Sequence, residues 1–257
     1  MKIADLVVKE AHAVGATSVR MVLTAPDALP PTQPGQFVEL RIDDTPGVLL
    51  RRPISVHDFD KDSNTLALLV QRVGKGTAWL CGRKEGDVIN TLLPLGHGFT
   101  MPEKGTSPFY PLLIGGGVGV APLYFLGREL SSRGFRPTFL LGARSSKDLL
   151  CRNLFETVGT VHVTTESGDE GVKGFVTQHP VLREGMFNAV YACGPKPMMQ
   201  AVATMAHAGG VWCEVSLENR MACGLGACLC CVEDTREGNV CVCKEGPVFN
   251  IDRLKWT

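Results

Sequence analysis

The chain lacks an excess of charge of either sign: among 257 residues, 26 Lys and Arg balance 26 Asp and Glu. It has no basic run, which argues against a nucleic-acid footprint and against a polybasic membrane anchor. No apolar stretch is long enough to cross a bilayer. The opening MKIADLVVKEAHAV is interrupted by Asp5, Lys9 and Glu10 and has no secretory apolar core. A soluble, cytoplasmic protein without nucleic-acid or membrane partners is expected. None of His12, His57, His97, His162, His179 and His207 stands at metal-ligand spacing from another, so they read as surface or satisfied core residues. No nucleophile–base pattern and no G-x-S-x-G elbow occurs. Internal repeats and low-complexity segments are absent too. These absences leave the chemistry to bound cofactors, with the protein supplying position and electrostatics.

Cysteine, by contrast, is plentiful. The chain has 10, and six of them fall between Cys223 and Cys243. In a reducing compartment such a set is a poor disulfide framework and a good metal site. Cys223, Cys228 and Cys231 stand in a C-x4-C-x2-C pattern, with Cys243 twelve residues further on. That is the spacing of plant-type 2Fe–2S centres. A zinc finger would show paired C-x2-C units, or cysteines followed by histidines. Gly224 and Gly226 give the loop the unusual backbone angles that wrapping a cluster requires. Cys241 rivals Cys243 as the fourth ligand, and Cys230 stands beside Cys231. The scattered Cys81, Cys151, Cys193 and Cys213 read mainly as small buried apolar residues. An iron–sulfur centre moves electrons singly, so the rest of the chain should supply something to exchange them with.

Three spans are expected. Residues 1–100 show short Val/Ile/Leu-rich segments near 4–10, 17–24, 36–42, 52–58, 65–72 and 87–92, punctuated by Pro, Gly and Asp. They predict a six-stranded antiparallel barrel. Residues 101–210 alternate strand and helix, with strands near 138–141, 161–165 and 187–192. Helices are expected at about 147–156 and 174–184, after a first helix that Gly134 should stop, and a further helix begins at Pro197. This alternation predicts a doubly wound parallel sheet. Residues 211–257 are cysteine- and loop-rich and are expected to form a small 2Fe–2S module.

Arg51-Arg52-Pro53-Ile54-Ser55 lies on a predicted barrel strand. An arginine held there can grip a phosphate bidentately, and the serine can meet the edge of a flavin ring. Val73-Gly74-Lys75-Gly76-Thr77 opens a short helix whose small residues and hydroxyl suit a pyrophosphate. Gly115-Gly116-Gly117-Val118-Gly119 joins a strand to a helix, the context in which a glycine turn meets a dinucleotide pyrophosphate. Cys193-Gly194-Pro195 ends a later strand at the carboxyl edge of the same sheet. Cys193 is there a candidate for the nicotinamide pocket. Arg144 and Lys147, near the end of the second strand of that sheet, leave a 2′-phosphate pocket open.

Taken in order, RRPIS, GGGVGVAP and CGPKPM resemble the ferredoxin–NADP reductase superfamily. The tail from Ser216 to Cys231, with Val242 to Phe249, is similar more narrowly to the electron-transfer subunits of dihydroorotate dehydrogenase B. That resemblance implies FAD contacts at Arg52, Pro53, Ile54, Ser55, Leu69, Val70, Gln71, Gly76 and Thr77. It implies NAD as cosubstrate, bound by the glycine turn and Cys193-Gly194-Pro195. It implies cluster ligands Cys223, Cys228, Cys231 and Cys243. It further implies an FMN-containing dihydroorotate dehydrogenase catalytic subunit as partner, in a heterotetramer of two of each, and a role in pyrimidine biosynthesis. A related subunit of a sulfide dehydrogenase, hydrogenase or transhydrogenase complex is the alternative. A redox sensor with zinc or disulfide-cycling cysteines is a more distant one.

Overall fold

The computed structural model describes residues 1–103 and 105–256. Strands β1 (Lys2–Val14), β2 (Ser18–Thr24), β3 (Phe37–Leu40), β4 (Arg52–Asp60) and β5 (Thr65–Gln71) precede a short helix, α1 (Lys75–Cys81), and β6 (Val88–Leu95). The six strands close into an antiparallel barrel in the order β1-β2-β5-β4-β3-β6, as expected. Alternation explains the closure. Leu6, Val8, Met21, Leu23, Val38, Leu40, Leu66, Leu68 and Val70 recur at every second position and share one interior core. The opposite face of β3 and β6 is not left to solvent. Phe37, Leu92 and Leu95 point outward into a second core that also holds Cys231, Cys243, Val215 and Phe249.

The second half is built on β7 (Pro111–Gly116), α2 (Ala121–Ser132), β8 (Thr138–Ala143), α3 (Arg152–Glu156), β9 (Thr160–Thr165) and β10 (Val172–Lys173). It continues with α4 (Val181–Glu184), β11 (Ala189–Cys193), α5 (Lys196–Ala208) and β12 (Trp212–Ser216). The sheet order is β10-β9-β8-β7-β11-β12, with a seventh strand, β15 (Val248–Asn250), antiparallel to β12 at the far edge. The chain steps outward from β7 through β8 and β9, then returns to β11 on the other side. The order therefore reverses between β7 and β11, and the carboxyl ends of those two strands are where sheets of this kind take a ligand. Between β12 and β15 lie a hairpin, β13 (Val232–Thr235) with β14 (Gly238–Cys241), and the turn of helix α6 (Val242–Glu245).

Three features differ from the sequence expectation. The helix expected at 147–156 is a 3-10 turn at Ser146–Asp148 followed by α3, because Cys151 between them takes a left-handed φ of 55°. The helix expected at 174–184 is a 3-10 turn at Val176–Gln178 and then α4. Pro180 separates them, and a residue before proline is driven out of the helical region, as His179 is at ψ 132°. Within the span expected as a cluster module, β12 and β15 are strands of the large sheet, so the cysteine segment is tied into that sheet at both ends.

Candidate functional site

At the barrel mouth two strands come apart. β4 and β5 are paired from Asp60–Thr65 to Val56–Leu68. Beyond that point Arg52–Ser55 pair with β3, and Leu69–Gln71 pair with β2. The facing edges of the two segments are free of each other, and a planar ring with polar edges can meet their backbone groups. The flavin residues expected on β4 and β5 are the ones that line this opening. Leu69 and Val70 are buried in the cores on either side, so β5 offers its backbone and the half-buried Gln71.

Arg52 lies against the start of α1. A Cβ on Gly76 would stand 2.6 Å from its Nε, so a larger residue there would push the guanidinium out of this position. Its Nη1 is held by the carbonyls of Leu50 at 2.7 Å and Arg51 at 3.1 Å. Among the described residues Nε and Nη2 have no acceptor, which suits an arginine that waits for a phosphate. Arg51 is structural: it donates to the carbonyls of Glu39 and Asn90 and to Asn90 Oδ1. The Thr77 hydroxyl is committed to its own turn. It accepts from the N–H groups of Val73 at 2.9 Å and Gly74 at 3.1 Å and donates to the Gly74 carbonyl. Its role is thus to shape the turn around Gly76.

At the sheet's carboxyl edge Gly115 stands beside Cys193 in register. Gly117 takes a left-handed φ of 56° to start the turn. Backbones then touch across the switch point, where a Cβ on Gly119 would lie 2.5 Å from Gly194 Cα; one on Gly116 would lie 2.6 Å from the Met198 side chain at Sδ. Val118 is half-buried on the turn, and Pro195 caps α5. Main chain thus lies close on main chain at this edge, the close backbone approach that a pyrophosphate-binding turn uses. Cys193 is 1% exposed. Burial first, then the charge of Glu218, pushes its thiol well above the usual range, against a hydrogen bond with Ser216. It stays neutral, which makes it a packing residue at the strand end and not a nucleophile.

The cysteine loop brings its sulfurs together through backbone donors. Leu225 N–H points to Cys223 Sγ at 3.4 Å, Gly226 N–H to Cys243 Sγ at 3.1 Å, and Cys243 N–H to Cys231 Sγ at 3.3 Å. Gly224 and Gly226 turn the chain with φ of 67° and 79°. Burial opposes ionisation of Cys223. The N–H groups of Leu225, Cys228 and Ala227 and the Cys228 thiol nevertheless bring it down to about 6. Burial and the neighbouring Cys231 thiol push Cys243 up to about 12. Thiols this close cannot all ionise without a cation among them, which fits an iron–sulfur centre. Among the described residues no three metal-ligating side chains converge as for a single ion; the irons of a two-iron centre take two protein ligands each. Cys241 donates to the Gly226 carbonyl at 3.6 Å, whereas Cys243 receives an N–H as a ligand sulfur would. Cys228 and Cys230 are exposed.

One residue outside the sequence motifs sits between barrel and cysteine loop. Glu39 on β3 pairs with Pro53 and is fully buried, and neither carboxylate oxygen has a hydrogen-bond partner among the described residues. Gly224 lies directly on it, with 3.0 Å from its virtual Cβ to Glu39 Cγ. Burial raises its carboxyl to about 7, Arg51 and Arg52 pull it back, and Cys223 adds to the rise. In sequence the only signal was a lone acid in the apolar run FVEL.

Residues 218–255 match the family model for the iron-sulfur cluster binding domain of dihydroorotate dehydrogenase B, and residues 113–204 match the oxidoreductase NAD-binding domain. The chain is 39% identical to the dihydroorotate dehydrogenase B (NAD(+)) electron transfer subunit of Desulforamulus reducens, over 99% of both chains. It is 37% identical to that of Shouchella clausii, over 87% of this chain and 86% of the relative. A solved structure of the NADH-dependent reduced ferredoxin-NADP oxidoreductase superposes with a TM-score of 0.86 at 30% identity, covering 98% of this chain and 90% of that one. Phthalate dioxygenase reductase, at 18% identity and a TM-score of 0.66, shares the fold. With these relatives matching over most or all of their length, the chain belongs to the family of dihydroorotate dehydrogenase B electron transfer subunits.

Proposed function

We propose that this chain is the electron-transfer half of an NAD-dependent dihydroorotate dehydrogenase and works beside a separate catalytic subunit. When bound, a 2Fe–2S cluster supplies single-electron steps, and FAD joins them to hydride exchange with NAD. We assign FAD to residues 1–100, NAD to 101–210 and the cluster to 211–257, with β12 and β15 anchoring the last to the sheet. Arg52, beside Gly76, holds a pyrophosphate, and Pro53, Ile54, Ser55 and Leu69–Gln71 present backbone and side chains to the flavin ring. Gly115–Gly119 and Gly194-Pro195 admit the nucleotide to the crevice, and buried Cys193 lines it. Cys223, Cys228, Cys231 and Cys243 are the cluster ligands, with Cys241 beside them.

The observation that carries this reading is the seat of Gly224 on Glu39, opposite Pro53. It sets the cysteine loop against the strand that bears the flavin motif, and electrons need that proximity. The partner carries FMN, in an assembly of two of each subunit. Its docking face is the exposed rim of the cysteine loop, where Leu225 is 48% and Leu229 66% exposed beside Cys228. Mixing this chain with an FMN-bearing dihydroorotate dehydrogenase catalytic subunit tests the reading. Dihydroorotate-dependent NAD⁺ reduction that needs both proteins is expected. NAD⁺ reduction driven by ferredoxin, sulfide or hydrogen instead would move the chain to a related complex.

A further inference from the structure

The molecule holds a buried histidine that no cofactor motif uses. His57 lies two residues beyond Ser55 on β4 and is fully buried. Pairing with β5 slips there, from Val56–Leu68 to Asp58–Ala67, so β4 carries one residue more than its partner. Such a bulge re-aims side chains. Val56 and Phe59 still face the barrel core, while His57 and Asp58, consecutive in sequence, both turn toward α2. Asp58 pairs with Arg128 at 2.9 Å near the far end of that helix. His57 reaches its first residue: Nδ1 lies 2.9 Å from the Ala121 carbonyl, and the ring stacks on Tyr124 at 5.1 Å. A carbonyl can only accept, so Nδ1 carries the proton. Nε2 is then a buried acceptor without a partner among the described residues, an arrangement that costs stability and that an apolar side chain would avoid.

What the hydrogen bond joins is specific. On one side is the strand segment assigned to the flavin. On the other is the residue that follows the glycine turn, two positions after Gly119. That turn has no freedom of its own, because Gly119 is pressed backbone-to-backbone on Gly194. The first turn of α2 therefore fixes the whole nucleotide crevice. Hydride transfer demands close placement of the two reacting rings, and a displacement of about 1 Å can cost on the order of a hundredfold in rate. We infer that His57 is a positioning residue, which through the Ala121 carbonyl holds the nucleotide turn at the distance from the flavin strand that hydride transfer requires.

This inference rests on the FAD and NAD assignments above, and the wild-type chain tests those first: NADH must reduce its flavin. The holo chain is then compared with His57→Leu, which removes the donor, and His57→Asn, whose amide can restore it. Anaerobic stopped-flow gives the limiting rate of flavin reduction by NADH and, separately, the NADH dissociation constant. The absorbance of the reduced flavin–NAD⁺ charge-transfer complex is followed in parallel. His57→Leu should lower the limiting rate about tenfold to a hundredfold and weaken the charge-transfer band. Its NADH affinity should change by less than about threefold, about 0.7 kcal/mol, with FAD and iron content unchanged. His57→Asn should recover most of the rate. Arg128→Met, which loosens the same interface away from the turn, should lower the melting temperature and leave the limiting rate alone. If His57→Leu does not retain FAD, His57→Phe refills the volume without a donor and carries the same comparison. An unchanged limiting rate in the donor-less variant, equal losses in the Leu and Asn variants, or an equal loss in Arg128→Met would each overturn the inference.

Discussion

Gly119→Ala probes the nucleotide crevice most sharply, because the added methyl meets main chain and not a movable side chain. Its Cβ would stand 2.5 Å from Gly194 Cα, 2.6 Å from Gly194 N and 2.7 Å from the Cys193 carbonyl carbon. Carbon atoms rest at about 3.5–4.0 Å, so one loop must retreat by roughly 1 Å. Overpacking of this kind costs about 1–3 kcal/mol. Charged wholly to the nucleotide-binding form, it weakens NADH binding by about 5- to 150-fold. Two other glycines separate this effect from general strain. Alanine at Gly117 or Gly134 meets nothing within 4 Å, yet must adopt φ of 56° or 88°, so each should cost about 1–2 kcal/mol of stability. Gly134 lies past the end of α2, far along the chain from the crevice. Anaerobic titration of flavin reduction against NADH, beside thermal melts, distinguishes the three. Gly119→Ala should raise the NADH dissociation constant strongly, and Gly134→Ala should lower only the melting temperature. An NADH affinity within about twofold of wild type in Gly119→Ala would refute the placement of the nucleotide in this crevice.

Cys228→Ser should bleach the iron–sulfur absorbance and stop electron exchange with the catalytic subunit, while NADH still reduces FAD and a dye acceptor. Equal loss of both activities would contradict the division between crevice and loop. Arg52→Ala removes the guanidinium beside Gly76 and should lower FAD affinity by about 1.5–3 kcal/mol, read as flavin lost on gel filtration with the cluster retained. Acid should weaken the fold through His57. Burial, eased by the Ala121 carbonyl and reinforced by the charge of Arg20, lowers its pKa from 6.5 to about 4. The unfolded chain then binds the proton more tightly, so this contribution is whole above pH 6.5 and is lost as pH falls toward 4. The full loss is about 3 kcal/mol. Melting curves of wild type and His57→Asn across that window should converge as pH falls; parallel curves would remove His57 as the cause.

The barrel was legible in the sequence because its strands are short Val/Ile/Leu-rich segments set apart by Pro, Gly and Asp, as Leu66, Leu68 and Val70 are on β5. The glycine turn was legible because strand, glycines and helix follow one another locally. The helices expected near 147–156 and 174–184 are each a 3-10 turn and a short helix. Their apolar spacing suits a helix, but Cys151 in a left-handed conformation and Pro180 break them. The three-residue β15 was invisible because its place beside β12 is a long-range pairing that no local pattern encodes. For the candidate sites, the motif residues were legible, and their division of labour was less so: Thr77 shapes its own turn, and Arg51 stitches strands. Glu39 and His57 were not legible as special. A lone acid in FVEL has the signature of a solvent-facing strand position, and the bulge that re-aims His57 is a matter of register between strands. Only the covering of β3 by the cysteine loop, and of β4 by α2, gives those side chains their setting.

This one chain is expected to hold a flavin and a two-iron cluster in electronic contact. The most direct test is an anaerobic visible spectrum of the purified chain with iron, sulfide and flavin assays on the same sample. Flavin bands on a broad iron–sulfur shoulder, at about two irons and one FAD per chain, are predicted. Zinc in place of iron, or a chain without flavin, would contradict it.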